Sequence, residues 1–392
     1  MTLLNKIKEN TKYRYIFVLI LMLPFFKPAC LEEIHLEFIL NIYRVLKLIA
    51  ILFVIYTVIK ERKIDKIYIL VAIYLIIFLG ATILNHGVIK EALSISISIF
   101  FPIYLANYFI GKDAKSFFKG LNLLLEIFIY INFLTIILFP NGLYQGTINK
   151  VNYFLGYDNG HINYFLLGMA VSGIHAYLTH GKIISLRSII MYIICLLSVL
   201  IRWTATGVGG LILFPIVLGI CYLLKGKWVN VYSLLATAFL VTIGIVIFQI
   251  QNLFSFIIVD ILKKDITFTG RTTIWARSIE NIVNSHFLGK GYADLSQRAL
   301  ENGGKGLVNA HNQILEICYL GGIPLLISFG AIIVVTTKPL YEKRKTSVAW
   351  LLTALLFIYG IMMIFEAYNL CHFFLILVFG YNISQVIQEV KS

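Results

Sequence analysis

Three residues at the ends of the long apolar runs or in the connection between two of them are of types that could perform chemistry: Arg202, Arg271 and His311. Thr269, Gly270 and Arg271 stand just before a segment with helical spacing of apolar residues. They place a candidate N-cap, free backbone amides and a guanidinium at one point, an arrangement that attracts phosphate. The plainer alternative is a capped interfacial helix with a snorkelling arginine. His311 and Asn312 stand where a long polar connection returns to apolar sequence, with Glu316 four residues beyond Asn312 on the same helix face. With a reference pKa of about 6.5, a histidine there can take or give a proton near neutrality, although structural hydrogen bonding is its commoner use. Arg202 ends one apolar run, and only Trp203, Thr204 and Ala205 separate it from the next. A cation near mid-bilayer costs about 2.5–3.5 kcal/mol on insertion scales. Either an anionic ligand compensates it or the side chain snorkels to the interface.

Arg44 and Lys47 extend the possible cationic lining, again with snorkelling as the alternative, while Glu126 lies deeper and could pair with a neighbouring helix. His161 and Asn163, at the head of another run, are ambiguous. The sequence has no Asp-x-Asp pair, no phosphate-cradling Gly loop with Lys and no His-Glu-x-x-His. It therefore implies neither a metal nor a cofactor.

The elements that must hold these residues are membrane helices. The chain is 59% hydrophobic and 13% charged over 392 residues, far too apolar for a soluble domain of that length. Apolar stretches of roughly 18 to 24 residues recur, each able to cross a core of about 30 Å as a helix. They are continuous rather than alternating, so helices are expected and a barrel is not. About twelve spans are expected, near residues 15–31, 38–59, 67–85, 92–110, 117–139, 163–180, 184–202, 205–224, 230–250, 312–336, 347–365 and 369–387. The +14 net charge collects in every second connection, as at Lys60, Arg62 and Lys63, at Lys182 and at Lys343, Arg344 and Lys345. That distribution describes topology rather than nucleic-acid binding, and it places these connections and both termini in the cytoplasm. The basic start followed by residues 16–26 imitates a signal peptide, but Lys27 and Pro28 spoil a lipoprotein box at Cys30, so the first span is expected to be retained. The five cysteines stand singly and read as small apolar packers.

The whole chain, 1–392, thus reads as one integral membrane domain, with long outer connections at 140–162 and 251–310. A loop as long as the second should carry structure of its own. Trp275, Ile279, Ile282 and Val283 predict an amphipathic helix within 272–284, lying in the outer interface. Gly289 and Gly291 read as a turn that follows it.

Taken together, Thr269-Gly270-Arg271 with Trp275, Gly289-Lys290-Gly291-Tyr292, and Ala310-His311-Asn312-Gln313-Ile314-Leu315-Glu316 with Gly321-Gly322 resemble the O-antigen polymerase and ligase superfamily over about residues 163–327. The resemblance implies a GT-C-like, metal-independent membrane glycosyltransferase whose donor is a polyprenyl-diphosphate-linked oligosaccharide, used outside the bacterial cytoplasmic membrane. It gives Arg271 and Arg202 the role of steadying the diphosphate leaving group, and His311 that of general base, oriented by Asn312 or Glu316. Thr269, Gly270, Asn312, Glu316, Arg44 and Lys47 become substrate-binding candidates. Many relatives carry Ser or Thr directly before the first arginine, whereas here Ile201 precedes Arg202 and Trp203 follows it.

The leading reading is a polymerase of O-antigen, capsule or exopolysaccharide repeat units. Its partners would be the lipid-linked repeat, membrane lipid, a chain-length regulator and a flippase. The alternatives are a ligase acting on lipid A core, a lipid-oligosaccharide flippase or transporter, and a non-catalytic assembly protein.

Overall fold

An apolar segment in lipid must satisfy its backbone polar groups internally, and all twelve expected runs are largely helical in the computed structural model. The structure describes residues 11–146, 150–250, 252, 270–304 and 308–391. The first run is α1 (Thr11–Met22) with a 3-10 turn at Leu23–Phe25. Lys27 and Pro28 end it, and a short α2 (Cys30–Glu33) follows. Next come α3 (Glu37–Glu61), α4 (Lys66–Leu84) and α5 (Ile89–Leu138). As one rod, the 50 residues of α5 would reach about 75 Å, more than twice the hydrocarbon thickness. They break at Asp113, whose φ is −164° and ψ 81°, so two of the expected runs share one long element. Asp113 caps the second half by accepting from Ser116 N, and Glu389 accepts from the freed amides of Ala114 and Lys115.

The connection that follows carries a small antiparallel sheet that hydropathy did not reveal: β1 (Tyr144–Gly146), β2 (Lys150–Tyr153) and β3 (Gly156–Tyr157) in that order, with Tyr144 opposite Asn152. Then follow α6 (His161–His180), α7 (Leu186–Arg202), α8 (Ala205–Leu223) and α9 (Val231–Val246). Ser185 with Ser188 and Asn230 with Ser233 form capping boxes at the starts of α7 and α9. Beyond them lie α10 (Arg271–Asn284), α11 (Leu295–Asn302), α12 (Gln313–Glu342), α13 (Ser347–Met362), α14 (Leu370–Tyr381) and α15 (Ile383–Lys391).

The protein is an all-α polytopic membrane protein. Among the described residues, five helices are long and apolar enough to cross a membrane, or six if the pair at 370–390, bent by 56°, is one span. Helices α6, α13 and α14 are buried along most of their length and form the middle of the bundle. Helix α3 is inverted: Leu40, Ala50 and Val54 face inward, while Val45, Leu48, Leu52 and Ile59 are exposed, a surface suited to lipid. Helix α14 gives the bundle its direction. It starts near Glu366 at one end and finishes with the Tyr381 hydroxyl donating to Asp65 (2.6 Å) at the other, where Lys112 meets Glu61 and Arg14 meets Asp113.

Helix α12 is broken at Gly321 and Gly322, and the break docks the connection that follows α10. The carbonyls of Tyr319 and Leu320 accept from Lys290 N and Gly291 N, and Ile323 N donates to Phe287 O. The turn expected at Gly289 and Gly291 is thus a plug laid against an interrupted helix. Gly322 has φ +66°, and a Cβ there would stand 1.9 Å from Phe287 O.

The loop helix α10 forms where expected but is rotated. Ile274, Trp275, Ser278 and Ile282 are buried, whereas Val283, placed on the apolar face by its spacing, is exposed. The reason is that α10 packs on the first turns of α12, where Leu315, Cys318 and Tyr319 enclose Trp275.

Gly322→Ala should lower the thermal midpoint of the detergent-solubilised protein by several degrees, at a cost of about 1–3 kcal/mol or more, because it adds a clash to a left-handed backbone. Gly330→Ala, with nothing within 4 Å of its Cβ position, is the control expected to leave the midpoint unchanged.

Candidate active site

The residues His311, Asn312 and Gln313 are adjacent in the chain, and two of them build the site around the third. Asn312 caps α12 by accepting from Leu315 N (3.0 Å), while its Nδ2 donates to Ile364 O (3.0 Å). Gln313 donates its backbone N–H to Met363 O (2.9 Å) and accepts from Tyr368 N through Oε1 (2.7 Å). Three bonds therefore clamp the turn between α13 and α14 onto the head of α12, and that turn carries Glu366.

Glu366 is the centre of the cluster. Its Oε1 accepts from Arg271 Nη2 (2.5 Å) and from Asn159 Nδ2 (2.7 Å), and its Oε2 accepts from His311 Nδ1 (3.0 Å). Burial pushes its carboxyl pKa up, but the His311 hydrogen bond and the charges of Arg271 and His311 outweigh burial and hold it below its ordinary 4.5. An ionised carboxylate only accepts, so Nδ1 of His311 carries a proton in this arrangement. Glu366 keeps 8% of its side-chain surface exposed, against 19% for Arg271 and 21% for His311, so a ligand would meet the guanidinium and the ring first.

The backbone of His311 is itself held under constraint, with φ +45°, its N–H donating to Asn309 Oδ1 (2.9 Å) and its carbonyl accepting from Trp275 Nε1 (3.4 Å). A left-handed non-glycine residue is uncommon and needs its surroundings to fix it. Gly270, at φ +82°, is the N-cap residue of α10 and turns the chain into Arg271. Thr269 lies outside the described residues.

Arg202 belongs to the same end of the molecule through the sheet-bearing connection. Its Nε donates to Asp158 (3.2 and 3.3 Å), its Nη1 donates to Pro140 O (3.3 Å), and its guanidinium lies 5.0 Å from the Tyr153 ring centre. Asp158 and Asn159 are neighbours in one 3-10 turn, so Arg202 is joined to Glu366 through two adjacent side chains. The compensation that Arg202 requires is thus an internal carboxylate. Burial raises the Asp158 pKa, partly offset by Arg202. His161 and Asn132 fix this connection: His161 Nε2 bonds Gly156 O (2.9 Å), its Nδ1 meets Asn132 Nδ2 (3.3 Å), and Asn132 Oδ1 accepts from Leu155 N (2.9 Å).

Other expected site residues lie elsewhere. The Glu316 carboxylate turns away from His311 to accept from Arg298 Nη2 (2.6 Å) and Ala310 N (3.0 Å), an almost fully buried pair that fixes α11 and the approach to His311. Arg44 is exposed and faces Asn41 and Glu37, and Lys47 donates to Ser98 Oγ (3.0 Å), so neither joins the Glu366 cluster among the described residues. Glu126 forms a two-point ion pair with Arg187 of α7, and Asn163 Oδ1 accepts from the Tyr359 hydroxyl (2.9 Å), so both serve packing. The sequence reading missed Glu366, Asp158 and Asn159. The one available signal for Glu366 was a lone carboxylate in a short turn between two apolar runs on the side of the long loops.

The stretch from the second turn of α6 through the break in α12 holds Arg202, Arg271 and His311 in order. Residues 167–330 match the O-antigen ligase family model. That match places the stretch in the O-antigen polymerase and ligase superfamily, as the resemblance implied. The matched stretch covers less than half of the 392 residues, and Glu366, Asp158 and Asn159 fall outside it. No curated protein and no solved structure matches the chain.

Because the Glu366 pKa is depressed on folding, its contribution to stability is fully present above 4.5 and is lost as pH falls through the lower folded value. Asp158, shifted upward, works in the opposite sense. Glu366→Gln should therefore flatten the decline of thermal midpoint below pH 4.5 that the unmodified protein shows in an acid titration. Glu316→Ala, which strands Arg298, should cost about 3–5 kcal/mol in the same assay at neutral pH.

Proposed function

We propose that the chain is a metal-independent glycosyltransferase that polymerises polyprenyl-diphosphate-linked oligosaccharide repeats on the outer face of the bacterial cytoplasmic membrane. In this reading twelve helical spans cross the membrane, both termini are cytoplasmic and residues 251–310 form an extracytoplasmic loop. The observation that carries it is the meeting of Arg271 and His311, 40 positions apart, on the carboxylate of Glu366, at the bundle end away from the basic connections.

The arrangement suits transfer from a diphosphate. An acceptor sugar hydroxyl attacks the anomeric carbon of the donor. Its oxygen–carbon bond forms as the bond from that carbon to phosphate breaks, and the electron pair leaves on the diphosphate. The hydroxyl proton passes to His311 Nε2, the nitrogen that Glu366 does not engage. Charge growing on the leaving oxygens is steadied by Arg271 and Arg202. Each guanidinium has five N–H donors, more than its carboxylate partner uses, and fixed donors in a poorly hydrated site are strongly stabilising. Diphosphate is already a competent leaving group, so guanidinium donors can stand where other enzymes use a metal. Gly270 and Asn312 act on this reading by shaping the turn and cap around the substrate, Glu316 by fixing the loop, and Thr269 is a substrate-binding residue.

A ligase that transfers the lipid-linked glycan to lipid A core is the second reading, favoured by the description of the matching family. It uses the same donor and the same residues and differs in the acceptor. The gathering of charged groups at one end of the bundle, rather than at its midplane, speaks against a transporter.

Purified protein in vesicles with a polyprenyl-diphosphate-linked repeat should yield a ladder of longer glycans. His311→Ala should slow chain growth by about 10²–10⁴-fold, the usual worth of a general base. Arg271→Ala should slow it by about 10²-fold or more. Unchanged ladders from folded variants would remove these residues from the reaction, and growth only with lipid A core as acceptor would make the protein a ligase.

A further inference from the structure

We propose that Glu366 is the positioning residue of the reaction: it fixes the tautomer of His311 so that Nε2 is the proton acceptor, and holds Arg271 beside it in one rigid unit. The proposal rests on the glycosyltransferase reading, but its geometric half stands apart from it. Glu366 was not singled out by its sequence context, and it lies beyond the matched domain. Even so, three hydrogen bonds among five residues are committed to placing it. Asn312 and Gln313 fasten the turn at Ile364, Met363 and Tyr368, on both sides of Glu366. The result is a buried carboxylate with one oxygen on His311 Nδ1 and the other on Arg271 Nη2.

A neutral imidazole has one N–H and one lone pair, and whichever nitrogen donates to a carboxylate leaves the other to accept. With Nδ1 committed to Glu366, the lone pair is on Nε2. When Nε2 takes the acceptor's proton, the ring becomes an imidazolium, and the adjacent carboxylate stabilises that charge without itself being protonated. The second oxygen couples this to the leaving group. Arg271 cannot drift from the base without losing Glu366, so the group that receives the proton and the group that steadies the departing diphosphate keep a fixed separation. The other charged and titratable groups around the unit are Asp158 and Arg202, linked through Asn159, and the hydroxyls of Tyr157 and Tyr368. None of these bonds His311 directly among the described residues, so the carboxylate of Glu366 is the group that decides its tautomer.

The distinguishing variant is Glu366→Gln. A glutamine keeps the shape but presents an amide N–H, which favours His311 Nδ1 as acceptor and moves the ring proton to Nε2, where it blocks the base. Glu366→Ala leaves the tautomer to solvent, and Glu366→Asp keeps the charge. In full-length protein in lipid nanodiscs with ¹⁵N-labelled histidine, the His311 signal is identified by its loss in His311→Asn. That signal should show protonated Nδ1 and unprotonated Nε2 above the ring's titration, and the reverse in Glu366→Gln. This readout needs no substrate, so it stands even if chain growth is never observed.

In the vesicle assay with the lipid-linked repeat, kcat should fall by about 10²-fold or more in Glu366→Gln, with Ala between Gln and Asp and with Asp restoring most of the rate. An unchanged tautomer in Glu366→Gln would overturn the proposal, as would a loss confined to KM with kcat unmoved, which would make Glu366 a simple counter-ion of Arg271. If the tautomer reverses as expected but no variant alters chain growth, the positioning holds and the glycosyltransferase reading fails.

Discussion

The site depends on a buried carboxylate shared between a guanidinium and an imidazole. Taking Glu366 out of water is costly unless it is paired and hydrogen-bonded, and the protein meets that cost with three donors from three separate parts of the chain: Arg271, Asn159 and His311. Removing any one of them would leave the others held less well. The turn of Glu366, the head of α12, the start of α10 and the 3-10 turn at Asp158–Gly160 are therefore one cooperative object, although 208 positions separate its outermost members.

The surrounding architecture serves this object. The break at Gly321 and Gly322 frees backbone groups that bind the plug at 287–291, which in turn fixes the far end of α10. Trp275 fills the angle between α10 and α12 and reaches the carbonyl of His311. The Arg298 and Glu316 pair closes the other side by holding Ala310. The Glu366 cluster thus lies at one end of a bundle whose middle is apolar, where a substrate with a lipid tail and a charged head would place its head.

Much of this was legible in the sequence. The helices were, because continuous apolar runs leave a membrane chain few alternatives. Arg271 stood out because it follows Thr269 and Gly270 at a helix start, His311 because it stands where the long connection returns to apolar sequence, and Arg202 because it breaks the distribution of basic residues. What could not be read were the partners. Glu366 lies 95 positions from Arg271 and 55 from His311, and no local pattern encodes such a pairing. Arg202 invited an external anion because Asp158, its internal one, is delivered by a short sheet whose strands of two to four residues leave no periodic trace. Glu316 looked like an orienting group because it shares a face with Asn312, but α11 supplied Arg298 on that side. The face of α10 was misjudged at Ser278 and Val283, since contact with α12 rather than a lipid surface decided which side is buried.

The central claim, that Arg271, Glu366 and His311 form one site for a lipid diphosphate, is tested most directly by an experimental structure of the protein in nanodiscs with a non-transferable polyprenyl-diphosphate sugar bound. The account predicts phosphate oxygens within hydrogen-bonding distance of Arg271 and Arg202, with His311 Nε2 facing the space beside the anomeric carbon. A diphosphate bound at the opposite end of the bundle, or Arg271 and His311 found apart with Glu366 bonded to neither, would contradict it.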